Sequence, residues 1–415
     1  MVWTNTPRQR ITSIMEKTHY DVAIVGGGLA GKTLAAALSA RDFEAVLIER
    51  ESTAAADNRV TSLNMSTVQM YRNIGAWQHM KAHAQAMADI RVVDGPAGPS
   101  ISFETLSEFG EAHGYVVHNE VIVAALGKTL KGAKSVTTVH GAAAALGQAL
   151  AGRQQLNLAN GKTLDASLIC ACDGARSPLR SALGIETSMT DYRQANITAT
   201  LDHANDHAGV GFQRFMPGGP VAFIPMQGQQ SSLAWTLPKA QARAVMALDD
   251  DAFMALLSDQ IFRGDNADAR GPFTAVSARS TYPLRAQIAE RLDGPRCVLV
   301  GDAAHTIHPL AGQGFNLTAR DIAALTDILL AARNVGEDIG SARHGHSYTR
   351  ARRADILALF VATDQLNRLF SSRRFGPRAL RRAIMAAGRI LPKVGTGFAL
   401  QAQGALLGLP SLMRG

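Results

Sequence analysis

The chain has 415 residues, 47% of them hydrophobic and 18% charged, which excludes a disordered or fibrous protein and allows two or three domains with sizeable cores. Its three cysteines exclude a disulfide-stapled scaffold and point to a reducing compartment. The net charge of +8 is uneven, because residues 331–415 carry fourteen Lys and Arg against four acids.

The first eighteen residues lack the apolar centre of a secretory signal. They carry Arg8, Arg10 and Lys17 against Glu16, so they read as an N-terminal extension or a mitochondrial-type presequence, with Met15 a candidate start. No stretch approaches the ~20 apolar residues of a spanning helix. "YDVAIVG" then predicts a buried parallel strand, and "LAAALSAR" a helix. Between them stands "GGGLAGKT", which fits two patterns. Gly26, Gly28 and Gly31 give the dinucleotide fingerprint; Gly26, Gly31, Lys32 and Thr33 give the P-loop of a nucleotide triphosphatase. Either way, free N–H groups at a helix start attract phosphate.

The next strand, "EAVLIER", places Glu49 18 residues after Gly31, the register in which a dinucleotide fold holds ribose hydroxyls. "CACDGARSPLR" comes after another apolar run; Cys170 and Cys172 read as two buried small residues rather than metal ligands. "GPVAFIPM" predicts a strand that walls a substrate pocket, with Ala222, Phe223, Ile224 and Met226 available to face the substrate. "MALDDDAF" reads as a helix start with acids at its positive end.

"RCVLVGDAAHTIHPLAGQGFNL" decides between the two patterns. Asp302 could imitate a Mg²⁺-positioning acid. The next residues instead form a second glycine-rich turn ahead of a second helix, "NLTARDIAALTDILLAA". Two such phosphate-type helix starts far apart in sequence suit a long two-ended ligand better than ATP. Lys32 is then an ordinary helix residue, and Lys32→Ala is expected to leave cofactor binding nearly unchanged. His305 and His308 do not make a metal site: Pro309 disfavours the helix their spacing needs, and no further ligands cluster with them. The basic tail beside Phe375, Leu380, Ile384 and Met385 reads either as a solvated helical face or as a patch for an anionic membrane surface. Nucleic acid is disfavoured, since no aromatic residues interleave with the basic clusters.

"VGGGLAGKT…IE", "CACDGARSPLR" and "VLVGDAAHTIHPLAGQGFNL", in that order, resemble the single-component FAD-dependent aromatic hydroxylases with the para-hydroxybenzoate hydroxylase fold. "NRVTSLNMSTVQMYRNIGAW", "GYVVHNEVIVAAL", "FMPGGPVAFIPM" and "GLPSLMRG" are similar to the ubiquinone-biosynthesis hydroxylases, which act on polyprenylated phenols. The resemblance runs from about Tyr20 to Gly415. It implies an α/β (α+β) chain. A discontinuous Rossmann-like FAD-binding domain would use residues 19–75, 114–187 and 293–365, an inserted sheet-containing substrate domain 76–113 and 188–292, and a basic helical tail 366–415.

The resemblance also implies roles. Gly26, Gly28 and Gly31 would lie on the FAD pyrophosphate, Glu49 on the adenosine ribose, and Arg59 on the pyrophosphate. Asn119 would approach the cofactor, as would Asp173 and Gly174, accompanied by Arg176 and Arg180. Asp302 would bind the ribityl chain; Pro309, Gly312, Gln313, Gly314, Phe315 and Asn316 would line the flavin ring. The implied chemistry is reduction of FAD by NADPH or NADH, formation of a C4a-hydroperoxyflavin with O₂, and transfer of its outer oxygen to an electron-rich phenol. No acid-base side chain is assigned. Another small phenol as substrate, a P-loop NTPase, or a non-catalytic flavoprotein in a complex of quinone-biosynthesis proteins are the alternatives. The implied location is cytoplasmic and peripheral on the inner membrane, or the matrix side in a eukaryote.

Overall fold

The apolar run after the extension folds as strand His19–Val25, nearly all of it inaccessible to water. It pairs in parallel with Ala45–Glu49 on one side and Thr163–Ala171 on the other. Helices cover such a sheet on both faces, which is why these strands read as unbroken apolar runs rather than alternations. This computed structural model describes residues 19–50, 59–95, 100–102, 112–141, 144–262, 270–371 and 408–415. The N-terminal extension and Arg373, Arg374, Arg378, Arg381 and Arg382 of the tail lie outside them. None of the described helices is long and apolar enough to cross a membrane.

The first sheet has eight strands, with Cys297–Leu299 next to Thr163–Ala171 and Val136–His140 next to Ala45–Glu49. Helix Leu29–Ser39 packs on it through Leu34 to Leu38, and helix Gly314–Asn334 through Leu317, Ile322 and Leu325. Cys170, Cys172 and Cys297 are free thiols buried in this core; burial pushes each well up from its usual range.

The second sheet has nine strands, largely antiparallel, built around the long strand Thr187–His203. One face is closed by helices Lys239–Met246 and Asp250–Ile261, whose Val245 and Phe253 pack over Phe212, Val221 and Trp235. The second helix starts as its acids predict: the Asp249 side chain accepts from Ala252 N at 2.8 Å. A small third sheet pairs Val60–Asn64 and Gln85–Met87 with Gly114–His118. Gln85–Met87, expected in the substrate part, is thus tied to a strand assigned to the cofactor part.

The chain end also departs from the expected helical tail. Leu412 and Met413 are buried, and Asn73 Nδ2 donates to Leu412 O at 2.9 Å and Arg414 O at 3.0 Å. Residues 408–415 are therefore a clasp on helices Met65–Asn73 and Gly314–Asn334 rather than part of a free tail.

Candidate active site

The opening loop divides its glycines between fold and ligand. Gly26 has φ +115°, and a Cβ there would meet Cys172 O at 2.3 Å. A Cβ on Gly31 would meet Gly26 O at 1.8 Å. Both glycines are thus demanded by the close packing of strand, turn and helix. Gly28 is different: it is extended, caps helix Leu29–Ser39 without a side-chain hydrogen bond, and has nothing within 4 Å of an added Cβ. The unpaired first-turn N–H groups therefore face open space, as a phosphate site requires.

Glu49 ends its strand beside this loop, but not alone. Lys32 Nζ donates to Glu49 Oε2 at 2.8 Å, and His140 Nδ1 lies 3.6 Å from the same oxygen. Lys32 is thus a partner of Glu49, which corrects its reading as an ordinary helix residue. The contact needs helix and strand to be juxtaposed, and no local pattern signals it. Thr33, the other half of the P-loop match, is buried with its hydroxyl 3.2 Å from that of Tyr71.

Asn119 opens helix Asn119–Lys131; its N–H donates to Arg59 O at 3.0 Å and its Oδ1 accepts from Thr61 at 2.6 Å. Gly174 turns at φ +86°. Asp173 Oδ2 accepts from Leu179 N at 3.2 Å, while its buried Oδ1 has no partner among the described residues. Arg180 is buried and donates to Ala303 O at 2.8 Å and Ala175 O at 2.9 Å, so it rivets the Asp-Gly turn to the Gly-Asp turn. Arg176 is exposed.

Asp302 is exposed between the buried Gly301 and Ala303. Desolvation raises its carboxyl above the usual range, with His305 and then Arg59 opposing. Beyond it, Pro309 is exposed and Gly312 turns at φ +62° against Ser62. Gln313 precedes the helix without capping it, and Gly314, its first residue, has nothing within 4 Å of an added Cβ.

Phe315 and Asn316 each have partners within the fold. Phe315 stacks on Tyr71 with centroids 6.3 Å apart. Asn316 is buried; its Oδ1 accepts from Asn64 N (3.1 Å) and Thr67 Oγ1 (2.9 Å), and its Nδ2 donates to Ser62 O (3.0 Å). That clamp fixes the helix start that Gly314 presents.

A buried ion network sits behind the Gly-Asp turn. His305 Nε2 lies 2.5 Å from Asp321 Oδ2, and Arg352 joins Asp321 (2.8 Å) to Asp355 (2.7 Å), which also holds Arg320 (2.7 Å). Burial pushes the Asp321 carboxyl up, but His305 and Arg352 outweigh it and hold it below the usual range. His305 is therefore a member of a structural ion network. His308 is buried and apart from it.

The strand Gly219–Met226 forms as expected, but its pleat splits the four residues. Phe223 packs with Phe212 and Phe273 in the helix-backed core. It is thus part of the core beneath the helices; a strand covered on both faces shows no alternation to reveal this. Ala222 and Ile224 point to the opposite, half-buried face, and Met226 lines a cavity of about 180 Å³ with Val60, Val116, His118 and Gln230. On that opposite face Phe215 packs with Leu310, next to Pro309, and stacks on Phe370 at 3.8 Å. The sequence gives Phe215 no signal of its own; its place comes from pairing with Pro220 in register.

The residues fit a flavin dinucleotide: an uncapped helix start at each end, an open Gly28 and Gly314, an orphaned Asp173 oxygen and an exposed Asp302. Comparison with known proteins agrees. A family model described as an FAD binding domain matches residues 19–358. The chain is 36% identical to ubiquinone hydroxylase UbiL of Rhodospirillum rubrum over 88% of its own length and 84% of that protein. It is 31% identical to the mitochondrial ubiquinone biosynthesis monooxygenase COQ6 of Mus musculus, over 88% and 87%. Among solved structures, p-nitrophenol 4-monooxygenase PnpA of Pseudomonas putida superposes with TM-score 0.76 at 17% identity, over 94% of this chain and all of that one. Klebsiella pneumoniae HpxO, complexed with FAD and uric acid, gives 0.72 at 18%, over 93% and 98%. These two show the fold alone. The matching family model and these relatives place this chain in the family of FAD-dependent monooxygenases, among the ubiquinone-biosynthesis hydroxylases.

Proposed function

We propose that this protein hydroxylates the aromatic ring of a polyprenylated phenol in ubiquinone biosynthesis, with FAD as resident cofactor, O₂ as oxidant and NADPH or NADH as transient donor. The observation that carries the reading is the meeting of two surfaces. The loop from Pro309 to Gly314 carries an open, uncapped helix start, and Leu310 of that loop packs on Phe215 of the substrate sheet. A flavin ring on that loop would thus lie beside an apolar sheet face that bears Phe215, Ala222 and Ile224.

Bound FAD supplies the electron storage and the oxygen chemistry. The chain's own residues bind, orient and shield. The N–H groups after Gly28 would hold the pyrophosphate, with Arg59 nearby, and Glu49 the adenosine ribose. Asp302 would take the ribityl hydroxyls, and Asp173 Oδ1 would accept from a remaining polar group. The positive end of helix Gly314–Asn334 favours negative charge on the reduced ring. Phe215, Leu310 and Phe370 exclude water from the ring that is hydroxylated.

In this reading residues 19–75, 114–187 and 293–365 would carry the cofactor, and 76–113 with 188–292 the substrate. The basic tail would collect a bilayer-resident phenol at an anionic inner-membrane surface, cytoplasmic in a bacterium or matrix-side in a eukaryote. It could also meet other quinone-biosynthesis proteins there. The test uses purified, FAD-loaded protein with a short-chain prenylated phenol, NAD(P)H and isotopically labelled O₂. Mass spectrometry should find one labelled oxygen atom on the ring. A protein that holds FAD but oxygenates no such phenol refutes the reading, and a colourless protein that binds Mg-ATP tightly refutes the cofactor as well.

A further inference from the structure

Residues 408–415 touch three helices at once. Arg41, just past helix Leu29–Ser39, donates from Nη2 to Ser411 Oγ at 3.4 Å. Asp327 of helix Gly314–Asn334 accepts from Ser411 N at 2.7 Å and also from the Ser411 hydroxyl. Asn73, the last residue of helix Met65–Asn73, holds the Leu412 and Arg414 carbonyls. Pro410 has φ −57°, and the tight turn Ser411–Met413 that follows it sends Leu412 and Met413, 0% and 2% exposed, into the core of the first sheet. Arg414 Nε donates back to Leu409 O at 2.6 Å and closes the segment on itself.

Two of those helices carry the open starts at Gly28 and Gly314. Their distal parts converge: Arg333, in the last turn of Gly314–Asn334, donates to Arg41 O at 2.6 Å and Asp42 O at 3.0 Å. The third helix is wedged between them. Its Tyr71, fully buried, sets its hydroxyl 3.2 Å from that of Thr33 in the first helix. The same ring stacks on Phe315 of the other, with centroids 6.3 Å apart and planes at 10°. Its N-cap, Asn64, is held by Asn316. Asn73, where residues 408–415 attach, lies on the same short helix as Tyr71. A cofactor that spans both starts needs them at a fixed separation and tilt, because N–H groups bind phosphate only when aimed at it, and supporting residues have to hold such groups to within about 0.5 Å. Asn316 fixes the wedge at one end, and residues 408–415 fix it at the other.

We propose that residues 408–415 are a positioning element of the cofactor site, which holds the two helix starts in place for FAD. The inference rests on the placement of FAD across both starts. Ser411, Leu412 and Met413 act through Asp327, Asn73 and the core rather than by contact with the cofactor. Such coupling is reciprocal: if the closed clasp favours FAD by some factor, bound FAD favours the closed clasp by the same factor. A clasp that only covers the core shows no such coupling in the folded protein.

Amide hydrogen exchange of the full-length protein, read by mass spectrometry with and without FAD, measures the coupling. Saturating FAD should slow exchange at the helix starts, residues 29–33 and 314–318. It should also slow exchange at Ser411, Met413 and Arg414, whose N–H groups are bonded in the clasp, by about tenfold or more. Leu412→Asp should open the clasp and raise the FAD dissociation constant by the same factor in a fluorescence titration. A synthetic peptide of residues 408–415 should restore the affinity, which a misfolded variant would not allow. Asn73→Ala, at an exposed position, should shift the constant in the same direction by less. Three results each overturn the positioning role and leave the placement of FAD standing: protection at the helix starts with none at 408–415, variants that bind FAD as tightly as the parent, or a loss of affinity that the peptide does not reverse. FAD binding without protection at the helix starts overturns that placement and the inference with it.

Discussion

Lys32→Met isolates the least expected contact of the cofactor site. The ammonium and the Glu49 carboxylate meet at 2.8 Å with side chains 12% and 23% exposed. A charge-assisted hydrogen bond contributes ~1.5–3 kcal/mol, and partial exposure discounts this to about 1–2 kcal/mol. Without Lys32, Glu49 keeps His140 Nδ1, 3.6 Å away, as its next partner and is expected to lose the orientation that would leave Oε1 for ribose. If half or more of the pair's energy is felt as lost orientation, the FAD dissociation constant rises by about 3–30-fold. Glu49→Ala removes the ribose bonds themselves, about 2–4 kcal/mol, so it should weaken FAD more than Lys32→Met. Titration of the apoprotein with FAD, monitored by flavin fluorescence, measures both. Because Lys32 acts through Glu49, adding Lys32→Met to Glu49→Ala should change nothing further. A Lys32→Met protein that binds FAD as tightly as the parent, or a double variant that loses both effects in full, refutes the reasoning.

Gly314 has free space around an added Cβ and no positive φ, so Gly314→Val should leave the melting temperature of the apoprotein unchanged but weaken FAD binding; Gly312→Val, strained at φ +62°, should lower both. Asp321→Asn leaves His305 without its buried counter-charge and Arg352 with Asp355 alone, at a cost of about 3–5 kcal/mol, read as a lower unfolding midpoint in denaturant. Because the Asp321 carboxyl is held below its unfolded value, its contribution is present above about pH 4 and is lost as pH falls further. His308 is lowered to about 4 from 6.5, so the unfolded chain binds its proton first and stability falls as pH drops through that window, by up to about 3 kcal/mol; His308→Phe should flatten that slope. Changing Arg373, Arg374, Arg378, Arg381 and Arg382 to Gln should reduce sedimentation with anionic vesicles without altering FAD content, since each basic residue contributes ~1 kcal/mol at such a surface; equal sedimentation removes the tail as a membrane patch.

What the sequence disclosed was whatever steric demand or register alone imposes. "YDVAIVG" and "EAVLIER" are parallel strands because neither face meets water, and Gly26 and Gly31 are glycines because backbone lies 2.3 and 1.8 Å from where a Cβ would stand. Glu49 was legible from strand length. The partners were not. Lys32 reaches Glu49 only once helix and strand are docked, and Asn316 spends its amide on Ser62, Asn64 and Thr67 from a segment some 250 positions earlier. Phe223 and Ile224 look alike in "VAFIP" because both faces of that sheet are covered, one by helices and one by the flavin-side loop and Phe370. His308 shows the limit most clearly. Its spacing from His305 tests only for a shared metal, and by that test it is an ordinary histidine. What distinguishes it is Tyr192, brought onto its ring by a bulge that depends on Asp191 holding Arg193 N and Lys239. The chemistry of an imidazole is set by what its nitrogens can reach, and here that depends on three elements that meet only in the folded chain.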